Sequence, residues 1–249
     1  MPPGRMKLPT LSSLAVALGL GSTALATPTD SREPTPAESP RRVPALGSPI
    51  RYAALGASDT VGVGSRSPAR ENWTARLHAA LPGDTVYGRF ARSGIHLSDA
   101  VEREVPQAIA FKPTLVTMWL SVNDALGRVP LPAYQRSLQA TLERLTRETE
   151  AQVVLLNVPD LAALAPAHAS AQVRTQLRET ARAWNDAIAT TARRFGPRVL
   201  VVDLVPASRE LSGHADWLSS DGFHPSSQGY QKLADLTLDA MRRAGLLTP

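Results

Sequence analysis

From Ile50 onward, short apolar runs alternate with longer stretches in which apolar positions recur every three or four residues. The runs Ile50 to Leu55, Thr85 to Phe90, Leu115 to Leu120, Val153 to Asn157 and Val199 to Leu204 predict strands. Helices are predicted over Ala69 to Leu81, Leu97 to Ile109, Leu131 to Glu150, Ala171 to Phe195 and Ser227 to Ala244. Leu138, Leu142 and Leu145 show the spacing that buries one helical face. Nearly continuous apolar strands separated by helices imply a parallel sheet covered on both faces. The expected fold class is therefore α/β, a three-layer α/β/α sandwich over residues 50–249 with no internal repeat. In such sheets ligands sit beyond the carboxyl ends of the strands, so polar residues just past each strand are the ones to inspect.

The first 49 residues follow neither period. Met1 to Ala26 read as a secretory signal peptide: Arg5 and Lys7 supply the positive start, Leu11 to Leu25 an interrupted apolar stretch, and Ala24-Leu25-Ala26 a small-x-small cleavage site. The stretch is too short and too broken for a comfortable membrane span, although retention as an uncleaved anchor is the alternative. Residues 27–49 are rich in Pro, Ser and Thr with few large apolar side chains, the composition of a flexible linker. A secreted, periplasmic or cell-envelope location follows as the expectation, without stable membrane insertion once the signal is removed.

Composition narrows the chemistry. The 249 residues are 43% apolar, enough for a core, and contain no cysteine. Disulfides, thiolate metal sites and a cysteine nucleophile are excluded, so any nucleophile is an oxygen or a nitrogen. The formal charge of +5 comes from 24 Arg and three Lys against 22 acids, and it falls to +3 when Arg5 and Lys7 are removed. The cations are scattered and lack interleaved aromatics, which argues against nucleic acid as a partner.

Four segments that follow predicted strands, or lie near the C-terminus, carry candidate chemistry. They are Gly56-Ala57-Ser58-Asp59-Thr60-Val61-Gly62, Ala91-Arg92-Ser93-Gly94, Ser121-Val122-Asn123-Asp124 and Asp221-Gly222-Phe223-His224-Pro225. Each alone is weak. In this order they resemble the SGNH subgroup of the GDSL esterase and lipase family, across essentially the whole region from Ile50 to the end. The resemblance implies a flavodoxin-like sheet and no cofactor or metal. It also implies Ser58 as nucleophile, His224 as base, Asp221 as the acid that orients it, and an oxyanion hole built from Ser58, Gly94 and Asn123.

Physical chemistry supports those roles. A serine hydroxyl needs a neighbouring imidazole to take its proton as it attacks. That imidazole needs an acceptor on its other nitrogen to fix the tautomer and stabilise the imidazolium, and Asp221 is three residues away on a Gly-containing turn. Pro225 pushes His224 out of the helical region just ahead of the last helix. Gly94 lets a backbone N–H approach the substrate, and the Asn123 amide can donate from the side.

Two positions depart from the family pattern. The family's usual Gly-Asp-Ser is here Gly56-Ala57-Ser58, so the acid before the nucleophile is absent while Asp59 follows it, which leaves the support of the nucleophile turn in question. The glycine two residues before Asn123 is Ser121, which asks that turn to accept a side chain.

Plainer readings stand beside these. Ser58 alone is more often a helix cap than a nucleophile, Gly94 a turn glycine, and Asp221 with His224 a surface turn or half of a metal site. The metal reading lacks a third ligand at recognisable spacing. Asp124 reads as a cap or turn support. His78, His168 and His214 read as surface residues, His96 as a possible cleft residue and Trp73 as core. No G-x-S-x-G elbow, Walker loop or dinucleotide fingerprint occurs.

The expected function is hydrolysis of small to medium acyl esters, with lipid-like esters within that range, by a monomeric secreted enzyme. A polysaccharide or cell-wall O-acetylesterase, transfer of the acyl group to an alcohol, and a retired carbohydrate- or lipid-binding module are the alternatives.

Overall fold

The computed structural model describes residues 44–247. The expected signal peptide at 1–26 lies outside them, as does the expected linker except for residues 44–49. At that end, the Leu46 N–H donates to the Leu246 carbonyl at 2.8 Å and Ser48 Oγ bonds Asp84 Oδ2. These contacts pin the entry to the sheet.

Among the described residues five strands form one parallel sheet: β1 (Arg51–Gly56), β2 (Val86–Ala91), β3 (Leu115–Trp119), β4 (Gln152–Leu156) and β5 (Val199–Val202), ordered β2-β1-β3-β4-β5. Each lies within two residues of its predicted run. Every position of β3 and β4 is buried, as is β1 beyond Arg51, which is why those segments are apolar without alternation. The strand order reverses direction between β1 and β3, which makes the gap beyond their carboxyl ends the topological switch point. Gly56 pairs with Trp119 in register, so the turns that follow at 57–58 and 120–123 lie side by side.

Ten α-helices follow or join the strands among the described residues: α1 (Ser58–Val61), α2 (Pro68–Glu71), α3 (Trp73–Ala79), α4 (Leu97–Glu102), α5 (Glu104–Ala110), α6 (Val122–Leu126), α7 (Leu131–Glu148), α8 (Ala171–Arg193), α9 (Val205–Arg209) and α10 (Ser227–Arg243). One layer packs α10 on α3, and the other packs α7 against α4, α5 and α8. The result is the expected α/β/α sandwich. Trp73, fully buried, meets the Trp119 ring edge-on at 6.5 Å.

Two predicted helices are broken. The helix expected over Ala69 to Leu81 divides at Asn72, whose backbone is extended at ψ 156°. The Asn72 amide donates to the Pro68 carbonyl at 2.7 Å and its Oδ1 accepts from the Ala75 N–H at 2.9 Å, so one side chain ends α2 and caps α3. The helix expected over Leu97 to Ile109 divides at Arg103, with φ −126°. Glu104 then opens α5, buried and bonded to Arg92 at 3.1 Å. The short helices α1, α6 and α9 had no periodic signal, because four or five residues are too few to show one.

Candidate active site

Ser58 is the first residue of α1, immediately beyond β1. The turn is closed by backbone bonds: the Thr60 and Val61 N–H groups donate to the Ala57 carbonyl at 3.1 and 3.0 Å, and those of Gly62 and Val63 to the Ser58 carbonyl at 2.9 and 3.0 Å. No acid at 57 is needed for this support; Ala57 is buried in the core instead. Ser58 itself is 5% exposed.

His224 and Asp221 are joined on one turn. His224 Nδ1 lies 2.6 Å from Asp221 Oδ2, while Asp221 Oδ1 accepts from Ser219 Oγ and the Phe223 N–H at 2.8 Å and from the His224 N–H at 2.9 Å. Burial pushes the Asp221 carboxyl up, but the bonds from the His224 ring, Phe223, Ser219 and the His224 backbone outweigh it and hold it at about 2. A carboxylate fixed this way accepts the Nδ1 proton and leaves Nε2 as the basic nitrogen. The turn is anchored by the Ser219 N–H donating to the His224 carbonyl at 2.8 Å and by a bridge between Leu218 and Pro225.

The loop after α1 ties the two turns together. Tyr230 Oη donates to the Val63 carbonyl at 2.6 Å, and the Arg66 N–H donates to Ser227 Oγ at 3.0 Å, which in turn donates to Glu71 Oε2 at 2.6 Å. Gly64, at φ +94°, lies directly against His224. Periodicity and motif reading missed these residues; the only signal was the pair of glycines in Gly62-Val63-Gly64. No hydrogen bond joins Ser58 Oγ to His224 among the described residues.

Asn123 lies in α6, beyond β3, and its Nδ2 donates to the Ile95 carbonyl at 2.9 Å. That bond fixes the amide plane and leaves the second N–H for another acceptor. Gly94 sits at φ +77°, a conformation that favours glycine, with open space where a Cβ would be. Ala57, Ile95, Ser121 and Asn123 enclose a cavity of about 10 Å³, close to the room one oxygen-sized atom needs. Ser121 is buried with its hydroxyl unpartnered among the described residues, and the turn closes through the Ala125 N–H donating to the Ser121 carbonyl at 2.9 Å. Asp124 is a support, as expected: its buried carboxylate accepts the Leu97 N–H at 3.0 Å and ties α4 to α6. Burial pushes its carboxyl up to about 6, against the opposing pull of Leu97 and His96.

Beside this cavity lies a second, of about 100 Å³, walled by Trp119, Leu164, Leu204, Leu211, Phe223 and Leu233. Asp59 lines both. His96 caps α4, bonding Asp99 through its own N–H at 3.0 Å, and lines neither cavity. His78, half-buried, stacks on Tyr87 at 4.9 Å, so it is a packing residue rather than a surface one. Among the described residues, no three His, Cys, Asp or Glu side chains gather as a metal site would require.

Residues 54–232 match the model of the GDSL-like lipase/acylhydrolase family. No curated protein matches the chain. Solved structures with the same fold include a lipase from a goat rumen metagenome, at 21% identity and TM-score 0.61, covering 80% of this chain and 98% of that one. An extracellular lipase from Streptomyces rimosus shares 21% identity at TM-score 0.58, covering 77% and 99%. An acetylxylan esterase from Geobacillus stearothermophilus shares 18% at TM-score 0.62, covering 80% and 96%.

Proposed function

The chain belongs to the GDSL-like lipase/acylhydrolase family and is a serine hydrolase of carboxylic esters; from that premise we propose that Ser58, His224 and Asp221 form its triad. The observation that carries this reading is the 2.6 Å contact between His224 Nδ1 and an Asp221 carboxylate whose hydrogen bonds hold its pKa down at about 2. Ser58 Oγ attacks the ester carbonyl carbon while His224 Nε2 takes the hydroxyl proton. The carbonyl oxygen, now negative, enters the small cavity and is met by the free Asn123 N–H, while the backbone N–H groups of Ser58 and Gly94, whose chain neighbours Ala57, Asp59 and Ile95 line that cavity, complete the hole. Collapse expels the alcohol, which receives its proton from His224. Water, deprotonated by His224, then releases the acid from Ser58.

The substrate proposed is an ester with a short to medium acyl chain, lodged in the apolar cavity. A hydrocarbon chain gains about 0.8 kcal/mol per buried methylene there, whereas an acetyl group would leave the Leu-rich wall uncovered. The proposed setting is outside the cytoplasm, on the strength of the Met1 to Ala26 pattern.

Labelling with a fluorophosphonate probe, together with p-nitrophenyl ester hydrolysis over a chain-length series, tests the reading. The wild type labels and turns over, and Ser58→Ala and His224→Ala, folded by circular dichroism, do neither. Wild-type turnover by Ser58→Ala would overturn it.

A further inference from the structure

Asp59 is an acid that the triad chemistry leaves unused. It follows Ser58 directly and lines both cavities, the one sized for a single oxygen and the apolar one. Its carboxylate accepts no hydrogen bond from any other described residue and pairs with no cation among them. Two other polar groups of the apolar cavity are engaged. Ser208 Oγ donates to the Val205 carbonyl at 2.9 Å and accepts the Asp160 N–H at 2.8 Å. Lys232 Nζ lies 3.7 Å from Glu210 and 5.1 Å from the centre of the Trp217 ring. Burial pushes the Asp59 carboxyl up, with His224 opposing and Asp221 adding to the rise.

Position decides what such a group would meet. With the carbonyl oxygen in the small cavity and the chain in the apolar one, the first carbons past the carbonyl cross the boundary that Asp59 shares with Trp119 and Val122, where Asp59 is the one acid. Resting on Ser58 as the nucleophile, we infer that Asp59 selects esters whose acyl chain carries a hydroxyl at carbon 2 or 3, which donates to the carboxylate. An unsubstituted chain covers that carboxylate with methylenes and leaves it without water or a partner, which a site built for a donor penalises. An ammonium at the same carbon would satisfy Asp59 but would face the imidazolium that His224 becomes during attack, so the hydroxyl is the better fit.

The test compares p-nitrophenyl esters of octanoate, 3-hydroxyoctanoate and 3-aminooctanoate on the full chain. The wild type is expected to favour the hydroxyacyl ester over octanoate by about 10- to 100-fold in kcat/KM. Asp59→Leu abolishes or reverses that ratio, and Asp59→Asn, which keeps an acceptor oxygen, retains part of it and serves if the leucine variant does not fold. A wild-type ratio near one, a ratio unchanged in Asp59→Leu, or a preference for the amino ester overturns the inference while leaving a Ser58-dependent esterase in place. Hydrolysis that survives Ser58→Ala defeats the underlying reading instead.

Discussion

Gly64 presses its backbone against His224: a methyl group added at Gly64 would come within 3.0 Å of the His224 Cβ and within 2.6 Å of the Pro225 carbonyl oxygen. The proposed base is therefore positioned by the loop that trails the proposed nucleophile as well as by Asp221. Gly64→Ala combines that clash with a side chain at φ +94°, a conformation costing on the order of 1–3 kcal/mol. The expected outcome is a lower melting temperature and a kcat reduced by about tenfold or more, with KM for a small ester little changed. Thermal melts and steady-state kinetics on one preparation check both.

Asn123→Ala removes the side-chain donor proposed for the oxyanion. Its kcat should fall by about 10²–10³, and the loss should appear equally in kcat/KM, since the bond strengthens only as charge develops. Covalent labelling of Ser58 by a fluorophosphonate should slow without disappearing.

Asp124 governs part of the pH dependence of stability. Its folded pKa, about 6, stands above its ordinary value of 3.8. Its contribution is thus fully present below pH 3.8 and is lost as pH rises through about 6, where the buried carboxyl must ionise. Asp124→Asn keeps an oxygen for the Leu97 N–H and carries no charge. Its stability should lack this decline, a difference of up to about 3 kcal/mol, when denaturant melts of both proteins are compared from pH 4 to 8.

Ala207 stands in the wall of the apolar cavity with little bulk of its own. Ala207→Phe should shift the acyl preference by several carbons toward shorter chains, with acetyl and butyryl esters retained and octanoyl esters losing about tenfold or more in kcat/KM. A chain-length series measures it, and an unchanged profile would place the acyl chain elsewhere.

Much of this architecture was legible in the sequence because burial writes itself into residue choice. Central strands covered on both faces are continuously apolar, so β1, β3 and β4 stood out, and the order of four short motifs pointed to one site. Asp221 and His224 were readable because three residues on one turn suffice to join them. Asn72 was not, because a capping asparagine inside an apolar period looks like any polar face residue until its side chain is seen folded back on Pro68. Gly64, Tyr230 and Glu71 were hidden for a different reason: the Tyr230–Val63 bond spans 167 positions, and no local pattern encodes it. Asp59 shows in the sequence only as an acid following Ser58, since only the cavities reveal what it faces.

The bond between Leu46 and Leu246 has a practical side. It holds both ends of the described chain at the edge of the sheet where strands begin, and the proposed reacting groups lie at the edge where they end. A surface, tag or fused partner joined directly at Pro44 or Leu247 would therefore leave the proposed site facing outward, toward whatever carries the ester.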